Sequence, residues 1–278
     1  MKAGINIWSF PSNLSLNEVF KIAKDAGFDG VEIALDEKGE LSLESTEADV
    51  LRVKQMAYDN GISLYSLATP LFWPYPLSSN DKGIRQKAKD IVRRQIEVAK
   101  GLGCDTVLVI PGGVDVTFYP GYEVVDYDLV YDRALEAMLE LKEHAEEYEV
   151  IIGVENIWNK FLLSPLEMRD FVDKIDSDFV KVYFDVGNVM LFGYPQQWIK
   201  ILGNRICKVH IKDFRCHVGT LHGFVDLLSG DVPFPEVMKA LKDIGYDDWL
   251  TAEVGIYRNH KELCIYNAYN SLKRIMEG

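Results

Sequence analysis

Four segments of this chain share one pattern: a helix-like stretch ends in glycine, and a short apolar run begins within three residues. They are KDAGFDGVEIAL (24–35), YDNGISLYSLA (58–68), AKGLGCDTVLVIP (99–111) and LKDIGYDDWLTAEV (241–254). In each, the glycine (Gly27, Gly61, Gly103, Gly245) stands where a helix end calls for positive φ, which glycine adopts without strain. The runs that follow are rich in Val, Ile, Leu and Tyr, which suits strands covered on both faces, as in a parallel sheet.

Extending the pattern along the chain predicts strands at 3–8, 30–34, 62–68, 106–110, 151–155, 180–185, 207–211 and 250–254. Helices are predicted at about 15–26, 45–60, 82–102, 127–148, 164–175, 195–203, 234–243 and 259–276. Within 127–148, Leu129, Leu135, Met138, Leu139, Leu141 and Ala145 make the stripe expected to face inward. Ser164 before Pro165, with Glu167 three residues after Ser164, predicts a capping box. Eight strand–helix pairs predict an α/β fold, a single-domain (β/α)8 TIM barrel over 1–278. A doubly wound open sheet is the alternative, but no G-x-G-x-x-G follows the first strand. Average domain size would divide 278 residues in two, yet α/β barrels run as one domain at this length, and no linker or low-complexity tract interrupts the chain.

Thirty basic against 43 acidic residues leave a net charge of −13, which argues against a nucleic-acid partner, since such binding needs a basic stripe. The acidic balance is compatible with holding a divalent cation. Cys104, Cys207, Cys216 and Cys264 form no C-x-x-C pair, so reduced thiols in a cytoplasmic protein are expected. The opening MKAGINIWSF meets Pro11 and Ser12 without a signal-peptide core, and no apolar run approaches the ~20 residues of a membrane span.

The predicted long connections, 69–81, 111–126 and 214–232, all follow strands and so fall at the C-terminal mouth of a barrel, where active sites are built. The last residues of the later strands carry the chemistry. VIIGVEN ends in Glu155, VYFDVGN places Asp185, KVHIKDF places His210, and LTAEVG places Glu253. Taken singly, a strand-end carboxylate also caps helices, and a histidine in an apolar run is often a satisfied core residue. Taken together, three carboxylates and an imidazole on four adjacent strands converge across the mouth, and burying them without a cation is costly. A hard or borderline divalent metal is the natural occupant.

GVENIWN, FDVGN, KVHIKDF and AEVG, in that order, resemble the sugar isomerase/epimerase superfamily of xylose-isomerase-like barrels, particularly the ketose 3-epimerases. The likeness runs from GINIWSF to the last helix. It implies that Glu155, Asp185, His210 and Glu253 bind one divalent metal per chain, and that Glu155 and Glu253 are the catalytic pair. Two positions depart from the tagatose/allulose 3-epimerases: Asn188 replaces a histidine three residues after the metal aspartate, and Phe161 replaces a substrate-binding glutamate. The D-x-G-N form is similar to the pentulose-5-phosphate 3-epimerase branch.

Such a site would acidify the C3–H of a ketose, letting one carboxylate remove the proton and the other return one to the opposite face. Substrate contacts are expected from Trp158, Asn188, Lys212, Arg215 and His217, the last two in the loop after strand seven, where barrels often bind phosphate. Asp213 is expected to orient a ligand from behind, and the aromatics Trp8, Phe10, Phe72 and Trp73 to wall a sugar. The expected metal is manganese, with magnesium, cobalt or zinc as alternatives. The expected partners are a small sugar or sugar phosphate, and further copies of the chain in a dimer or tetramer. The competing functions are an aldose–ketose isomerase, an inosose-type dehydratase and a non-catalytic sugar-binding barrel. An endonuclease-IV-like enzyme would need a histidine-rich metal cluster, and the chain has five histidines with His210 alone at a strand end.

Overall fold

The computed structural model describes residues 1–278. Eight parallel strands close into a barrel in chain order, with the last pairing back onto the first. They are β1 (Lys2–Asn6), β2 (Gly30–Ala34), β3 (Ser63–Ala68), β4 (Thr106–Val109), β5 (Ile151–Glu155), β6 (Val180–Asp185), β7 (Ile206–Ile211) and β8 (Trp249–Ala252). Each is followed by one helix of the outer ring: α1 (Leu16–Ala26), α2 (Glu47–Asp59), α3 (Lys82–Leu102), α4 (Tyr127–Tyr148), α5 (Pro165–Ile175), α6 (Pro195–Leu202), α7 (Phe234–Asp243) and α8 (Leu263–Glu277). This is the (β/α)8 barrel that the helix–glycine–strand pattern predicts.

Local chemistry sets most boundaries. Ser15 with Glu18, and Thr46 with Asp49, form reciprocal capping boxes that start α1 and α2. Gly27, Gly61, Gly103 and Gly245 take φ of +110°, +67°, +87° and +73°, which lets the chain turn from helix toward strand. The capping box expected at Ser164 is only half formed. The Ser164 hydroxyl accepts from the Glu167 N–H, but the Glu167 carboxylate accepts from the Leu163 N–H and the Tyr127 hydroxyl instead.

The expected inward stripe of α4 holds at Met138, Leu141 and Ala145 and is corrected at Leu129, Leu135 and Leu139. The buried face is Val130, Ala134, Ala137, Met138, Leu141 and Ala145, a regular three-to-four spacing. Leu129 and Leu139 lie beside that face and are 39% and 40% exposed. Small alanines carry much of the contact, so weighting the larger leucines misplaces the stripe.

Four strands, β1, β3, β4 and β8, are one residue shorter than expected, and β1 and β8 each end two residues early. β1 stops at Asn6, whose side chain accepts from the Trp8 N–H at 2.8 Å and turns Ile7–Ser9 into one 3-10 turn. β8 stops at Ala252, so Glu253 stands just past the strand, its N–H donating to Ile211 O at 3.1 Å.

The core is one apolar mass between strands and helices, with Phe171 fully buried against Phe161 and Tyr131. Phe171→Ala is expected to lower stability by about 3–5 kcal/mol through the cavity it leaves, read from urea denaturation. Inside the barrel the fill is partly polar. The Tyr65 hydroxyl lies 2.7 Å from Thr251 Oγ1, and a Cβ at Gly4 would come within 2.1 Å of that hydroxyl, so residue 4 has no room for a side chain. At the N-terminal end, Lys208 is buried and its Nζ pairs with Asp105 at 2.9 Å and Asp248 at 2.7 Å.

Candidate metal centre and catalytic site

Strand register builds the centre at the opposite, C-terminal end. Asp185 on β6 pairs directly with His210 on β7, and His210 pairs with Thr251 on β8, one residue short of Ala252 and two short of Glu253. Glu155 closes β5 next to β6. Glu155, Asp185, His210 and Glu253 each present one donor atom, all within 4.8 Å of one another. His210 Nδ1 lies 3.2 Å from Glu155 Oε1, 3.1 Å from Glu253 Oε2 and 3.8 Å from Asp185 Oδ2.

The donors are held from behind. Asp185 Oδ1 accepts the N–H groups of Gly187 and Asn188 at 2.9 and 2.8 Å, as the sharp turn of the FDVGN segment brings the backbone round. Asp185 Oδ2 is buried and accepts no hydrogen bond, although Lys212 Nζ lies 3.1 Å away as an ion pair without hydrogen-bond geometry. A buried carboxylate oxygen without a hydrogen-bond donor is open to a further cation beside Lys212. Asn156 bridges to Asp185 from both ends of its amide: its Oδ1 accepts the Asp185 N–H and its Nδ2 donates to the Asp185 carbonyl.

His210 is oriented by a residue the strand-end reading missed. Glu32, fully buried on β2, accepts the His210 Nε2–H at 2.8 Å. It also accepts from Asn6 at 2.6 Å, Ser66 at 2.7 Å and the Tyr183 hydroxyl. Gly153 on β5 leaves room for the Tyr183 ring, 3.0 Å from where its Cβ would stand. With Nε2 committed to Glu32, Nδ1 is the nitrogen that faces the three carboxylates. This carboxylate–imidazole–metal arrangement fixes tautomer and ring orientation. The available signal was a single glutamate interrupting the apolar run GVEIA.

Charge balance supports the same occupant. Four carboxylates (Glu32, Glu155, Asp185, Glu253) face only His210 and Lys212 as cations. Burial pushes Glu155 up to about 7, against the pull of His210 and Lys212. Burial also raises Asp185, partly offset by Lys212 and His210. Burial works to raise Glu253 as well, but Lys212, at 2.9 Å, and His210 outweigh it and draw it down to about 2. Burial acts to lower His210, but Glu32 first, then Glu155 and Glu253, hold it well above the usual imidazole range. The donor set, the unsatisfied Asp185 oxygen and the excess negative charge all fit one divalent cation.

Above the donors opens a cavity of about 500 Å³, within the range of small-molecule sites. Trp158, Asn188 and Lys212 line it, as do Trp8 and Trp73, while Phe72 and Phe10 are buried in the core instead. The Trp158 indole N–H donates to Asn188 O at 2.9 Å, and Asn188 Nδ2 donates to Asn156 O at 3.0 Å. Arg215 and His217 are exposed and do not line the cavity. A short hairpin, Asp213–Phe214 with Phe224–Val225, carries Arg215 outward, where its Nε donates to Ser229 O at 3.0 Å. Asp213 does not touch the metal donors. Its carboxylate accepts the N–H groups of Phe214, Gly230 and Val232 and so folds the loop after β7.

Glu32→Gln keeps the shape of the bond to His210 but removes its charge. The expected result is a roughly 10- to 100-fold loss of metal affinity, measured by chelator competition. Unchanged affinity would show that Glu32 does not position His210.

The fold and the convergent donors define a (β/α)8 barrel with a metal-binding cluster at its C-terminal mouth. Residues 20–273 match the Xylose isomerase-like TIM barrel family, and the chain belongs to it. It is 27% identical over 270 residues to the "Putative L-ribulose-5-phosphate 3-epimerase SgbU" of Haemophilus influenzae, covering 94% of this chain and 91% of that one. It is 24% identical over 254 residues to the L-ribulose-5-phosphate 3-epimerase UlaE of Escherichia coli, covering 87% and 83%. A crystal structure of D-psicose 3-epimerase determined in the presence of D-fructose superposes with a TM-score of 0.82 over the whole of both chains at 19% identity, a likeness of fold.

Proposed function

We propose that this protein is a divalent-metal-dependent sugar epimerase that inverts C3 of a ketose. The observation that carries the reading is the placement of two carboxylates from different strands, Glu155 and Glu253, at 3.2 and 3.1 Å from His210 Nδ1 at the floor of an otherwise largely apolar cavity. The relatives named as L-ribulose-5-phosphate 3-epimerases support the same reaction class. A divalent cation held by Glu155, Asp185, His210 and Glu253 supplies the positive charge that acidifies the carbon beside a ketone.

The chain's own groups do the rest. One of Glu155 and Glu253 takes the C3 proton, and the other delivers a proton to the opposite face. Lys212, tied to Asp185 and Glu253, steadies negative charge developing beside it. Asn156 and the turn at Gly187–Asn188 hold Asp185 in place. Trp8, Trp73 and Trp158 cover the reacting carbon and keep water from competing for the proton.

Manganese suits a set of three carboxylates and one imidazole. Four unpaired cysteines are consistent with a reducing cytoplasm. Leu191, Phe192 and Tyr194, exposed together after β6, support assembly into a homodimer or homotetramer. No helix is long and apolar enough to cross a membrane. Elemental analysis of untagged protein, combined with product analysis on a panel of ketoses, tests the reading. About one manganese per chain and a C3 epimer as product are expected. A metal-free protein that stays inactive after supplementation would refute it.

A further inference from the structure

The mouth of the cavity is built for something other than a charged substrate tail. Of the charged side chains that line it, Glu155 and Glu253 belong to the donor cluster, Lys212 is paired with Asp185 and Glu253, and Asp213 is saturated by three backbone N–H groups. Apart from Lys212, which stands at the metal-donor end, no cation lines the cavity, and the exposed Arg215 is turned to Ser229 O. Part of the polar wall is occupied as well, although the Trp8 and Trp73 indole N–H groups and Asn188 Oδ1 make no hydrogen bond within the protein. The Trp158 N–H goes to Asn188 O, Asn188 Nδ2 goes to Asn156 O, and Thr69 Oγ1 accepts the Leu71 N–H.

Most of what remains to meet a ligand is ring and aliphatic surface. Trp73 packs edge-on against Phe118 at 5.2 Å after β3 and β4, and Trp158 packs against Phe224 at 5.2 Å after β5 and β7. Leu108 and Leu221 extend these two arcs. A phosphate placed here, away from Lys212, would be desolvated without a counter-charge, and a run of buried sugar hydroxyls would find few partners. An apolar group would gain by leaving water, and an aromatic one could also pack on the rings. The cavity, at about 500 Å³, is sized for a sugar and a substituent together.

We infer that the substrate is an uncharged ketose carrying an apolar substituent, aryl or alkyl, at the end remote from the metal donors. The inference rests on the proposed function for which end of the substrate meets the metal, and it separates this chain from a sugar-phosphate enzyme.

The test uses manganese-loaded wild-type protein with D-fructose, D-tagatose and L-sorbose, each as free sugar, 6-phosphate and 6-O-benzyl ether. Deuterium exchange at C3 gives kcat/KM, and quenching of tryptophan fluorescence gives binding without turnover, since three of the chain's five tryptophans line the cavity. For the sugar whose configuration is accepted, the benzyl ether is expected to exceed the free sugar by about tenfold or more, and the phosphate by a wider margin. Phe118→Ala is expected to erase most of the benzyl preference in both readouts. A phosphate that binds or exchanges as well as the benzyl ether would overturn the inference. Tight benzyl-ether binding with no exchange on any sugar would uphold the apolar substituent and refute the epimerase. Equal, weak binding of all three forms would overturn the inference whatever the exchange shows.

Discussion

Glu155→Gln and Glu253→Gln are each expected to lower kcat/KM for epimerisation by roughly 10²- to 10⁴-fold, the scale of a positioned general acid or base. Both residues are also proposed metal ligands, so lost turnover alone would not separate the two roles. The separating signature is asymmetry. Each variant retains one carboxylate, and that carboxylate still faces one side of C3. One variant therefore still washes out the C3 proton of one epimer, and the other variant that of the opposite epimer, with no conversion between them. Metal content by elemental analysis is expected to fall only partly, because Asp185, His210 and one glutamate remain. Symmetric loss of exchange from both epimers in both variants, with metal retained, would contradict a two-carboxylate mechanism.

Removing the metal is expected to have the second largest effect. Chelation eliminates turnover and leaves Glu32, Glu155, Asp185 and Glu253 facing only His210 and Lys212. Binding selective for the folded state stabilises by about 2.7 kcal/mol at a hundredfold excess over Kd. For a chain of this size that corresponds to a Tm rise on the order of 5 °C. The same titration on Asp185→Asn is expected to show little rise, because the buried Oδ2 that accepts no hydrogen bond is the atom replaced or misdirected. Differential scanning calorimetry with and without manganese measures both. An equal rise in wild type and variant would place the metal elsewhere.

Much of the barrel was legible because its signals are local. Glycine at positive φ, apolar strand runs and capping serines act within a few residues, and they locate all eight strands and helices to within a few positions. The donor quartet was legible because each member sits at or beside a strand end, and barrel closure alone then brings strand ends together. Glu32 was not, because its meaning depends on Asn6, Ser66, Tyr183 and His210, which reach it from four other strands across the barrel interior. Arg215 and His217 follow the same logic in reverse. They are close to His210 in sequence, but a hairpin of only two residues per strand, too short to show alternation, directs them to solvent. The inward face of α4 was partly misread for a third reason: Ala134 and Ala137 lie on it, and their small size makes them weak markers in a sequence.

The most direct measurement locates the proton that moves. Manganese-loaded wild-type protein is incubated with a ketose it accepts in deuterated water, and both epimers are recovered and mapped by NMR. The account predicts deuterium at C3 of the product epimer, with none at C1 and none at any carbon after chelation. Label at C1 accompanied by aldose would make the protein an aldose–ketose isomerase, loss of water would make it a dehydratase, and inversion at C3 without label from solvent would contradict proton transfer through two separate carboxylates.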